Sequence, residues 1–194
     1  MKRWPSPSWW PRGNVDLVRI YTKTGDDGTT GLFYGGRARK DEPRPFAIGS
    51  VDELQAALGV TRAHLGATHP LAALTIELER DLYVLMAELA TLPENRSKLT
   101  PGQTLVTPQM VERLEGKIDH YAALFEPPQD FVLPGETIGA AFLDVARTAA
   151  RRAERYCVSI AEPDSYVLRY LNRLSDLLWV LARWHEGGSR LARD

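Results

Sequence analysis

From residue 50 to residue 185 the apolar residues of this chain return every three or four positions, in five runs separated by proline- or glycine-rich breaks. That period belongs to helices with one buried face, and it restricts the fold more than any other feature. Ser50-Val51-Asp52-Glu53 reads as a capping box, with Ser50 as N-cap and Glu53 three positions on. Val51, Leu54, Leu58 and Leu65 continue it as one apolar stripe. A second helix is expected over Leu71–Leu92, ended by Pro93, and a third over Pro108–Leu124, ended by Pro127-Pro128. The fourth is expected over Thr137–Ala161, with a small-residue stripe at Phe142, Ala146, Ala149, Ala153 and Cys157. The fifth covers Asp164–His185, with Leu171, Leu174, Leu178 and Leu181 inward. Phe131-Val132-Leu133-Pro134-Gly135 is a short extended connector, and only Val18–Tyr21 reads as a strand. The expected fold is all-α: a five-helix antiparallel bundle forming a single domain over residues 19–194, of which 19–48 is a loop-rich segment. Residues 1–18, with Trp4, Trp9 and Trp10, are expected to be a disordered or loosely docked arm.

The chain has 194 residues, 44% hydrophobic and 25% charged, with a net charge of -1, enough for one core and without bulk attraction to nucleic acid or anionic membranes. One cysteine, Cys157, excludes an internal disulfide and a cysteine-rich zinc site, and fits a reducing, cytoplasmic setting. No apolar run is long enough to span a bilayer, and the opening MKRWPSPSWWPRG lacks the apolar core of a secretory signal.

Four features carry possible chemistry. The run Thr22-Lys23-Thr24-Gly25-Asp26-Asp27-Gly28-Thr29-Thr30-Gly31 combines glycines with hydroxyl donors, and Lys23 and Lys40 supply positive charge. Such a loop wraps a polyphosphate or is a plain surface turn; it is not a Walker A loop. Arg147, Arg151, Glu154 and Arg155 share a face of the fourth helix, with Arg152 beside it. They are either an anion site, for which arginine's planar fork is suited, or a solvated face with Glu154 pairing internally. Asn172, Asp176, Trp179 and Arg183 share a face of the fifth helix, to bind ligand or to satisfy those arginines. Asp52 is a first-turn carboxylate favoured by the helix dipole, or a partner for an arginine such as Arg147. Metal-ligating residues are not assigned: none of the four histidines has Glu three positions before it, as a ferritin-like di-iron bundle requires. No nucleophile–base arrangement stands out.

Five blocks resemble the PduO-type ATP:cob(I)alamin adenosyltransferases, in family order from residue 19 to about 185. They are Ile20–Thr30, Val51–Leu54, Phe131–Gly135, Val145–Arg155 and Leu171–Asp176. The resemblance implies a cobalamin adenosyltransferase-like bundle that assembles as a homotrimer, with ATP between subunits. It implies ATP contacts at Thr22, Lys23, Thr24, Gly25, Thr30, Lys40, Arg151, Arg152, Glu154, Arg155 and Asn172. It implies an Asp52–Arg147 salt bridge across the subunit boundary, and a Phe131 that crowds the lower face of the corrin. Glu136 departs from the pattern, standing where the family has glycine or a small residue. The implied substrates are ATP, with Mg²⁺, and cob(I)alamin; Co(I) is itself the nucleophile, which accounts for the missing base. A reductase and an adenosylcobalamin-dependent acceptor enzyme are the implied partners. The rival reading is a non-catalytic ATP- or corrinoid-binding delivery or regulatory module. A nucleic-acid binder using Arg37, Arg39, Lys40 and Arg44 is the weakest reading, given the near-zero charge.

Overall fold

The computed structural model describes residues 21–193. The arm at 1–18 and the strand expected at Val18–Tyr21, apart from Tyr21, lie outside the described residues. Five α-helices account for most of the rest: α1 Pro43–Leu65, α2 Leu71–Leu89, α3 Pro108–Ala122, α4 Ile138–Cys157 and α5 Val167–Glu186. A short 3₁₀ helix, Pro93–Lys98, and four short strands are the other regular elements among the described residues. β1 Thr29–Gly31 pairs antiparallel with β2 Arg37–Arg39, ahead of the bundle. β3 Val132–Leu133 pairs antiparallel with β4 Arg190–Leu191, tying the α3–α4 connector to the segment after α5. None of the described helices is long and apolar enough to cross a membrane.

The start of α1 differs from the capping-box expectation. The helix begins at Pro43, two turns before Ser50, and the Ser50 hydroxyl donates to the Phe46 carbonyl at 2.8 Å inside the helix. Proline at the first helical position, preset in φ, begins it without a side-chain cap. Asp52 is therefore mid-helix and cannot owe its place to the dipole of the first turn. Thr137 does cap α4, its hydroxyl accepting from the Ala140 N–H at 3.2 Å.

The predicted stripes face the core. Val51, Leu54 and Leu58 of α1, Ala146, Ala149, Ala153 and Cys157 of α4, and Leu171, Leu174, Leu178 and Leu181 of α5 are all buried, with Leu65 and Phe142 half-buried. The small side chains of α4 let it lie between α1 and α5, its two most extensive neighbours. Burial pushes the Cys157 thiol up to about 12, which leaves it an inert core group. On the far side, the buried Tyr170 of α5 donates to Asp81 of α2 at 2.9 Å, and Arg113 of α3 binds the same carboxylate. One side-chain cluster thereby joins three helices.

At the opposite end of α5, His185 faces Thr137, with 2.9 Å between Nδ1 and Oγ1. The Thr137 oxygen also accepts from the Ala140 N–H, so this one side chain links the start of α4 to the imidazole. Burial first, then His69 and His64 nearby, hold the His185 pKa below its usual value of 6.5. The unfolded chain therefore takes up this proton first as the pH falls. The stabilisation is complete above about pH 6.5 and is lost as the pH drops toward the folded value. We expect the melting temperature of the native chain, minus that of His185→Gln, to shrink between pH 7.5 and 5.5. A constant difference would remove His185 from the titration.

Candidate active site

The loop before α1 is tightly organised. Lys40 Nζ donates to the Gly25 carbonyl at 2.8 Å, and Arg37 Nη2 donates to the Thr24 carbonyl at 2.6 Å. A Cβ on Gly25 would lie 3.0 Å from the Thr29 carbonyl oxygen and 3.1 Å from Lys40 Nζ, so glycine is what the close approach admits. The Thr29 backbone N–H and hydroxyl both donate to Asp27, and hold its carboxyl below the usual range. The Thr22 and Thr24 hydroxyls are 2.8 Å apart. Thr22 and Thr24 are thus joined to each other and Lys40 to Gly25; Lys23 stands between the two threonines in the chain, and Thr30 is on β1. Asp27 belongs to the run already singled out, whereas Arg37 is a framework residue that the sequence did not connect with it; its signal was the short hairpin, concealed by its glycines.

On α4 the crowd of arginines divides. Arg147 Nε donates to Asp144 at 2.7 Å, and Arg152 pairs with Glu53 of α1. Arg151 and Arg155 are exposed and have no carboxylate partner among the described residues. Glu154 pairs with no arginine among the described residues; its carboxylate accepts from the Asn172 amide at 3.2 Å. Asn172 in turn accepts from Arg173 at 2.8 Å, and Asp176 lies 3.5 Å from Arg173. The fifth helix therefore does not satisfy the arginines of the fourth. Arg147, Arg151 and Arg155 form a row along two turns of helix, about 12 Å long, whose last two members are left for an anion.

At the other end of that row is a cleft of about 540 Å³. Phe131, Val132 and Pro134 form its apolar wall; Asp144, Arg147, Trp179 and Arg183 form the other. Phe131 is 80% exposed, so it is not a plug between helices. Arg183 is 2% exposed and donates to Asp144 at 2.7 Å, with Nε 2.7 Å from Glu186. This buried ion cluster fixes the cleft's polar wall. The sequence showed Arg183 on the helix face but not its partners, which come from a second helix and from the next turn.

No ion pair among the described residues joins Asp52 to Arg147, whose carboxylate partner is Asp144. Asp52 is exposed at a second cleft, about 330 Å³, between α1 and α2 beside Arg80 and Tyr83. Nor does any hydrogen bond or ion pair among the described residues join the Thr22–Thr30 loop to Arg151, Arg155 or Asn172.

The cobalamin adenosyltransferase family matches residues 20–185. Corrinoid adenosyltransferase PduO of Salmonella typhimurium is 41% identical over 178 residues, which cover 90% of this chain and 52% of that protein. The chain thus spans about half the length of that relative. Corrinoid adenosyltransferase of Mycobacterium tuberculosis is 40% identical over 195 residues, covering 92% of this chain and 98% of its own. A variant PduO-type ATP:corrinoid adenosyltransferase from Lactobacillus reuteri, solved with cobalamin and ATP, superposes with a TM-score of 0.82 at 33% identity. It covers 91% of this chain and 100% of that one.

Proposed function

The chain belongs to the cobalamin adenosyltransferase family, and from that membership we propose that it transfers the 5′-deoxyadenosyl group of ATP to the cobalt of cob(I)alamin. The observation that carries the reading is the continuity of the apolar Phe131 cleft with the row Arg147, Arg151 and Arg155. One end takes a large apolar macrocycle and the other takes an anion. Co(I) gives an electron pair to the 5′ carbon, the C5′–O bond breaks, and triphosphate leaves with the bonding pair. The chain need supply no base; it must hold the two centres in line and stabilise charge on the leaving group. Arg151, Arg155, Lys23, Lys40 and the N–H groups of the Gly25 loop suit that task, with Thr22, Thr24 and Thr30 as hydroxyl donors. Arg152, Glu154 and Asn172 border the same face and complete the ATP site in this reading.

Mg²⁺ fits as an ion carried on the phosphates, because no group of three or more His, Cys, Asp or Glu among the described residues could cage it. A reductase supplies Co(I), an adenosylcobalamin-dependent enzyme takes the product, and the reaction belongs in the cytoplasm. We also propose a homotrimer. Its support is that Asp52 is exposed at a cleft while the Gly25 loop and Arg151 are unconnected within one protomer, so a second copy completes the site. Asp52 then meets a neighbour's Arg147. A double-mutant cycle on activity and trimer stability should show coupling of about 0.5–3 kcal/mol, and strictly additive effects would dissolve the pair.

Phe131 separates catalysis from mere binding. Its ring crowds the lower face of the corrin, removes the ligand beneath cobalt, and so makes Co(II) easier to reduce. Because the side chain is exposed, Phe131→Ala should change stability by less than about 1 kcal/mol, against 3–5 for a core phenylalanine. Turnover from Co(II) should fall far more than turnover from pre-formed Co(I). An unchanged ratio, with an unchanged cobalt spectrum in the presence of ATP, would sink this role and favour the binding-module reading.

A further inference from the structure

Phe131 presents a mechanical problem. Its ring is 80% exposed, so packing does not hold it. No helix carries it either: Pro127, Pro128 and Pro134 prevent one, and Gly135 turns the chain with φ 120°. Yet both backbone polar groups of Phe131 are engaged. Its N–H donates to Asp130 Oδ1 at 2.7 Å, and its carbonyl accepts from the Ala192 N–H, also at 2.7 Å. The next two residues pair with β4, Val132 opposite Leu191 and Leu133 opposite Arg190. Arg190 Nε then donates to Glu136 Oε1 at 2.9 Å, closing the same turn from its far side. Glu136 is the residue that departs from the family pattern, and here it has a partner.

We propose that the segment Arg190–Ala192 is a clasp, and that Glu136, Arg190 and the Ala192 N–H are positioning residues for Phe131. Within the adenosyl-transfer reading on which this rests, they set how well the ring keeps the lower cobalt position empty. They touch neither ATP nor the reacting atoms. A weakened clasp leaves the arginine row intact and loosens only the cleft's apolar wall.

Two perturbations test it. Ala192→Pro removes the N–H at an exposed position, while Ala192→Ser keeps it. Glu136→Arg sets like charges together, and Glu136→Arg with Arg190→Glu restores an opposite pair. The first measurement is amide hydrogen exchange over residues 131–136, which needs no turnover. Ala192→Pro and Glu136→Arg should raise it, and Ala192→Ser and the double variant should not. Unchanged exchange in Ala192→Pro would overturn the clasp even if the chain were inactive on cobalamin. The second is turnover from Co(II) and from Co(I), with KM for ATP. We expect a loss of roughly two- to fivefold from Co(II) in Glu136→Arg, the ceiling an exposed ion pair allows. It should be restored in the double variant, with KM for ATP unmoved. An equal loss from both cobalt states would mean that the segment only supports the fold.

Discussion

Arg183→Ala is expected to destabilise the fold by about 3–5 kcal/mol, a large share of the roughly 5–15 kcal/mol that holds a domain of this kind together. The side chain is buried between two carboxylates, donating to Asp144 at 2.7 Å and lying 2.7 Å from Glu186. The Ser189 hydroxyl also donates to Glu186, and Arg147 binds the other oxygen of Asp144. Removal of the guanidinium leaves Asp144 with Arg147 alone and Glu186 without a cation, both away from water. Desolvation of stranded charge is the dominant cost, and the cavity adds to it. Adding Asp144→Asn removes one of the two stranded charges, so the double variant should lose less than the sum of the singles. Urea denaturation gives both numbers. A loss below about 1 kcal/mol in Arg183→Ala would mean that water reaches the cluster and that the cleft wall is not fixed by it.

Arg151→Ala is expected to act in the opposite way, with little effect on stability and a large effect on ATP use. Arg151 is exposed and has no carboxylate partner among the described residues, so no internal contact is lost. A charge-assisted contact to a phosphate oxygen contributes about 1.5–3 kcal/mol. That corresponds to a fall of about 10- to 150-fold in kcat/KM for ATP. Arg151→Lys keeps the charge without the planar fork and should fall between the two. Kinetics with ATP varied at saturating cob(I)alamin provide the check. Unchanged values would return Arg151 to the solvated face that such a run of charge usually forms.

These two arginines also show where sequence and structure part. Helical spacing placed both on shared faces, and it could not say which one is buried. The difference comes from partners: Asp144 reaches Arg183 from another helix, whereas no carboxylate among the described residues reaches Arg151. The five helices were legible because each carries an unbroken apolar stripe, such as Leu171, Leu174, Leu178 and Leu181. Their ends were less so. Ser50 and Glu53 have the composition of a cap, but Pro43 starts the helix earlier, and the Ser50 hydroxyl turns back to Phe46. The β3–β4 pairing was not legible at all. Two-residue strands carry no period, and their partners are separated by α4 and α5. The buried ion cluster was hidden for a related reason, since charged residues in a sequence read as solvated until their contacts are known.

The central claim is adenosyl transfer itself. The most direct measurement is to incubate the chain with ATP, Mg²⁺ and chemically reduced cobalamin, following the cobalt spectrum and the released phosphate species together. The account predicts adenosylcobalamin and triphosphate in equal amounts, with turnover beyond one per site. Binding of ATP and cobalamin without an adenosylated product would contradict it, and would leave a module that holds both molecules without joining them.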